Sequence, residues 1–152
     1  MRHRSWQVVP FTVLQQQNDK ITELSNVLGY LVGNRSICDT EVTCELFSMY
    51  VDKVQEHLEL EERELYQTLL THGGQQVQGM AQKFLSGSAE IKRVFSQYLK
   101  RWCKDKAVRA KHHTQFVTET REMFQLVMKR IQDEVEQLYP TVREVEGSQF
   151  AA

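Results

Sequence analysis

The sequence predicts an all-α fold, an up-down-up-down antiparallel four-helix bundle. Three observations predict it. Only Pro10 and Pro140 are prolines, so residues 11–139 contain no breaker of that kind. Apolar residues recur at spacings of three and four in four separate blocks, the period of one helix face. The connections between most blocks are short, which favours antiparallel neighbours. With 152 residues, 41% hydrophobic and 26% charged, the chain can bury a core of its own. Residues 1–145 are expected to form a single bundle domain, and residues 146–152 a flexible tail.

The first helix carries Leu14, Ile21, Leu24, Leu28 and Leu31, and Gly33-Asn34 is a good stop for it. Asp39 or Thr40 can cap the second helix, with Glu41 in its first turn. That helix carries Leu46, Tyr50, Val54, Leu65 and Leu69, and stops at His72-Gly73-Gly74. The third carries Val77, Met80, Phe84, Ile91, Phe95, Tyr98 and Trp102. A basic run follows, from Lys100 and Arg101 through Lys104 and Lys106 to Arg109 and Lys111. It reads as a solvated helix end and loop, since cations suit a helix C-terminus. The fourth helix carries Phe116, Met123, Val127, Ile131 and Leu138, and is expected to end near Pro140. Met49, Met80, Met123 and Met128 sit at core spacing, and Trp6 is expected to pack on the end of the bundle.

Several function classes are excluded at this level. Net charge is −1 and the basic residues are spread along the chain, which argues against nucleic-acid binding. No apolar run approaches the ~18 residues of a membrane span. Met1-Arg2-His3-Arg4 is followed by no long apolar stretch, so no signal peptide is expected. Cys38, Cys44 and Cys103 form no CxxC pair and read as reduced structural residues of a cytoplasmic protein. There is no Gly-rich phosphate loop, and no cysteine shares a helix seam with a histidine. An enzyme is not expected.

Each apolar seam contains a polar interruption. These are Asn18 in the first helix, His57 and Glu61 in the second, Ser88 in the third, and Arg130 and Glu134 in the fourth. Counted from the helix ends, all fall near one level of an antiparallel bundle, to within about a turn. Glu and Arg are rarely fully buried unless paired or bound to a metal. His57 and Glu61, four apart, lie on one face and can share a metal ion.

At these residues the chain resembles the hemerythrin-like cation-binding (HHE) domain family. His57-Leu-Glu-Leu-Glu61-Glu-Arg-Glu-Leu-Tyr66 is similar to its H-x-x-x-E-E-x-x-L-Y segment. Arg130-Ile-Gln-Asp-Glu134-Val-Glu-Gln-Leu-Tyr-Pro140 is similar to its H-I-x-x-E-E-x-x-L-Y-P segment. The resemblance implies a bundle in which histidines and carboxylates hold a non-haem di-iron centre. Carried over by position, it makes His57, Glu61 and Glu134 residual metal ligands. It also puts Arg130 and Asn18 in histidine slots, with Ser88 near a third. Guanidinium offers no lone pair and keeps its charge. The expectation is therefore a degenerate site in which Arg130 occupies the place of the metal. Asn18 and Ser88 would complete a buried polar network, and the cofactor is none or iron.

Three readings follow. The first is a metal-free regulatory or interaction module with a protein partner. The second is an iron protein using His57, Glu61 and Glu134 for oxygen or nitric-oxide sensing or iron storage. The third is an unrelated bundle with an ordinary buried ion pair. A narrower form of the first rests on Phe47-Ser-Met-Tyr-Val-Asp-Lys-Val-Gln-Glu-His57, which resembles one helix of bacterial anti-sigma regulators.

Overall fold

Pro10 stands immediately before α1 (Phe11–Gly33), where its missing N–H does least harm. In a computed structural model, the structure describes residues 10–36, 38, 40–104, 107–108 and 112–151. His3, Trp6, Asp39, Lys106, Arg109 and Lys111 lie outside the described residues. Among the described residues, four long helices make up the fold. α2 opens as Glu41–Glu61, passes through a π turn at Glu62–Tyr66, and finishes as Gln67–His72. Thr40 caps it, its hydroxyl accepting from the Thr43 N–H at 3.4 Å. α3 is Gln75–Trp102. A short antiparallel hairpin follows, β1 (Cys103–Lys104) on β2 (Ala107–Val108), with Cys103 opposite Val108. α4 runs as His113–Asp133, a second π turn at Glu134–Leu138, and Tyr139–Ala151.

The fourth helix therefore does not end near Pro140, and the expected flexible tail is helical as far as Ala151. A proline ring inside a helix collides with the carbonyl four residues back. Here the wide turn lies directly ahead of Pro140 and opens the backbone where that collision would occur. The hairpin is likewise absent from the apolar periodicity, because it consists of only two residue pairs.

The buried side chains fall into two apolar clusters. One contains Ile21 to Val32 of α1, Phe47 to Leu58 of α2, Ile91 to Trp102 of α3 and Phe116 to Ile131 of α4. The other contains Leu14, Leu65 and Leu69, Ala81 and Phe84, and Leu138 to Val142. In every helix the break between clusters contains a polar residue of the seam, Asn18, Glu61, Ser88 or Glu134, and His57 and Arg130 stand at its edge, just before Leu58 and Ile131. Phe47 and Phe124, which the seams omit, are buried, whereas Met49 is 42% exposed and not core as its spacing suggested. No helix among the described residues is long and apolar enough to cross a membrane.

Phe47 anchors the larger cluster. Its ring stacks on Tyr98 at 5.2 Å and on Phe124 at 6.0 Å, and meets Tyr50 edge-on. Phe47→Ala is expected to cost about 3–5 kcal/mol in urea unfolding, since the cavity cannot collapse among stacked rings. A loss under about 1 kcal/mol would contradict this packing.

Candidate functional site

The polar layer is built around Arg130, which α4 places between two carboxylates. Its Nε donates to Glu134 Oε2 at 2.8 Å, one turn along the same helix. Its Nη2 donates to Tyr66 Oη at 2.6 Å and to Ser88 Oγ at 3.0 Å, and reaches Glu61 Oε1 at 3.2 Å. Its Nη1 donates to the main-chain carbonyl of Phe84 at 2.8 Å. The guanidinium also lies 4.9 Å from the centre of the Phe84 ring, a cation–π contact.

His57 serves the remaining carboxylate oxygens. Its Nε2 is 2.8 Å from Glu134 Oε1 and 3.2 Å from Glu61 Oε2. Its Nδ1 is 2.8 Å from Gln17 Oε1. Both ring nitrogens thus face acceptors, and the ring that satisfies both is the imidazolium, which donates twice. Tyr139 Oη lies between the same two oxygens, 3.0 Å from Glu61 Oε2 and 3.1 Å from Glu134 Oε1, and accepts from Asn18 Nδ2 at 3.3 Å. All four carboxylate oxygens are therefore engaged, two by Arg130 and two by His57 and Tyr139. With His57 protonated and both acids ionised, two cations face two carboxylates.

Burial opposes every charge here, and the partners decide the outcome. Burial pushes the His57 imidazolium down, but hydrogen bonds to Glu134 and Glu61 and their charges outweigh it and hold its pKa near 9. Burial pushes Glu61 up, and the charge of Glu134 adds to this. Glu134 is held below the usual carboxylate range despite its burial, by His57 first and also by Arg130. Burial keeps the phenols of Tyr66 and Tyr139 protonated.

The structure brings His57, Glu61, Ser88, Arg130 and Glu134 together, and Asn18 joins through Tyr139. Four residues of the site do not emerge from the seam pattern: Tyr66, Tyr139, Gln17 and Gly87. The tyrosines follow Glu61 and Glu134 by five residues, a spacing about 140° apart on a regular α-helix. The two π turns, with their i→i+5 bonds, bring each tyrosine back toward its carboxylate's face. The repeated Leu-Tyr ending of both segments was the available signal. Gly87 acts by its size, because a Cβ there would lie 3.1 Å from Arg130 Nη1. His72 and His113 lie at helix ends and His112 directly precedes α4, all outside this layer; His113 Nδ1 is 3.6 Å from Cys38 Sγ.

His57, Glu61 and Glu134 each present a ligand atom within 4.8 Å of the others. These residues as arranged do not fit a metal centre. Below the raised His57 pKa of about 9, the ring nitrogen facing the carboxylates carries a proton and offers no lone pair. The guanidinium stands within 3.2 Å of both carboxylates, where a divalent cation would meet a fixed positive charge. Comparison with protein-family models, curated proteins and solved structures finds no match.

Arg130→Ala is expected to destabilise by about 3–5 kcal/mol in chemical denaturation, because it strands two buried carboxylates. Full stability in that variant would contradict the network. Stability also carries a pH signature. The folded His57 pKa of about 9 exceeds the 6.5 of the free side chain. Its contribution, on the order of 3 kcal/mol, is complete below pH 6.5 and lost as pH rises through 9. The raised Glu61 acts in the same direction. Urea unfolding between pH 6 and 9 should show this decline, and His57→Gln should flatten it.

Proposed function

We propose that the chain is a hemerythrin-like bundle in which a guanidinium has taken the place of the metal, and that it works as a cytoplasmic regulatory or interaction module and not as an enzyme. The observation that carries this reading is Arg130 between Glu61 and Glu134, at 3.2 and 2.8 Å; the sequence resemblance aligns that position with a family histidine. An up-down-up-down arrangement is part of the proposal. In its support, Leu14 at the start of α1 shares a cluster with Leu65 and Leu69 at the end of α2. Leu28 and Val32 at the end of α1 share the other with Phe47 near the start of α2. A protein partner is the kind of ligand an interaction module takes. The exposed apolar residues Val27 and Tyr30 of α1 and Val42 and Met49 of α2 supply contact chemistry for one.

One observation favours a second reading. His57, Glu61 and Glu134 each offer a ligand atom within 4.8 Å of the others, which supports a reading in which the three hold iron, with His57 deprotonated and Arg130 turned away, for oxygen or nitric-oxide sensing or iron storage. Metal analysis separates the two. Protein purified from iron-supplemented cells is expected to contain no stoichiometric iron and no visible absorption. Arg130→His, which restores a fourth ligand and removes the cation, is expected to gain a cobalt(II) spectrum that the parent chain lacks. Stoichiometric iron in the parent chain would overturn the first reading in favour of the second.

A further inference from the structure

Between α3 and α4 lies an open groove of about 630 Å³, the size of a small-molecule site. Phe84, Ile91 and Leu126 line it, with Met80 toward one end, and Arg130 is reached from it. Arginine has five N–H donors. Nε is given to Glu134, the two Nη2 hydrogens are divided among Glu61, Tyr66 and Ser88, and one Nη1 hydrogen goes to Phe84. The second Nη1 hydrogen has no acceptor among the described residues. The side chain that carries it is 8% exposed.

α3 leaves that donor accessible. Gly87 puts no Cβ in front of Nη1. Gly79, eight residues earlier on the same face, also lines the groove, and nothing lies within 4 Å of the position its Cβ would take. Internal packing therefore does not demand a glycine at 79, although glycine weakens a helix interior. Lys83, midway between the two glycines, lines the groove, is exposed and has no ion-pair partner among the described residues. The other charges there are engaged: Glu90 with Arg93, and Lys129 with Asp133. The uncommitted chemistry of the groove is one lysine charge, one buried guanidinium hydrogen and an apolar floor.

We propose that this groove binds a small amphipathic carboxylate. The carboxylate accepts from Arg130 Nη1 and takes the charge of Lys83, while the apolar chain lies along Phe84, Met80 and Leu126. This names a ligand class for the regulatory module and rests on the metal-free reading, since a guanidinium must hold the centre.

Octanoate titrated into the ¹⁵N-labelled full chain tests it, with octylamine and octanol as matched probes. Octanoate should shift amides of residues 79–91 and 126–137 saturably, and the other two should not. Lys83→Glu should weaken octanoate binding about tenfold, the scale of one lost charge contact. Gly79→Leu should fill the groove and abolish binding while the rest of the spectrum keeps its native dispersion. Equal binding of octanol or octylamine at these residues, or unchanged binding in Gly79→Leu, overturns the proposal. Iron content measured on the same sample separates the failures. Iron-loaded protein overturns the reading beneath it, whereas iron-free protein without an octanoate response overturns the groove alone.

Discussion

The charge on Arg130 sets the terms for everything around it. A guanidinium inside a bundle is tolerable only where its hydrogens find acceptors and its charge finds counter-charges. α2, α3 and α4 supply these directly, and α1 acts through the residues that surround them. α2 and α4 bring the carboxylates, α3 brings the Phe84 carbonyl and Ser88, and α1 reaches in through Asn18 and Gln17. With both acids ionised against one guanidinium, the sum is negative until His57 or the raised Glu61 takes a proton. The raised pKa of His57 is thus the completion of the same balance. The two apolar clusters flank this layer and bury its carboxylates and imidazole, which strengthens their attractions and raises the cost of any gap among them.

The backbone carries part of this arrangement. Both π turns occur next to a buried carboxylate, and each ends in or is followed by a tyrosine whose hydroxyl joins the layer. Tyr66 turns to Arg130 on α4, and Tyr139 turns to Glu61 on α2. The two helices thus exchange hydroxyls across the site in a near-symmetric way. α3 contributes differently, by lacking a side chain at Gly87 and so letting the guanidinium come close to its main chain.

Much of this was legible in the sequence, for a physical reason. A helix seam is periodic, so a polar residue on it is conspicuous, and Asn18, His57, Glu61, Ser88, Arg130 and Glu134 all stand out in this way. What escaped detection was whatever broke or lay outside that period. Tyr66 and Tyr139 are out of phase until the wide turns bring them round. Gln17 is only half buried and sits beside the seam. The Phe84 carbonyl belongs to the main chain, which every residue has, so no pattern marks it. Pro140 was misleading because its ordinary effect is cancelled by the preceding turn. Met49 was misleading because helical spacing gives a direction, whereas burial depends on whether a neighbour covers that direction.

The shared charge balance of the layer also bears on substitution. Four ionisable positions on two helices, His57, Glu61, Arg130 and Glu134, face one another through buried ion pairs. A change of charge at one therefore leaves another buried without its partner. Replacements here are coupled, so the cost of two together differs from the sum of their separate costs.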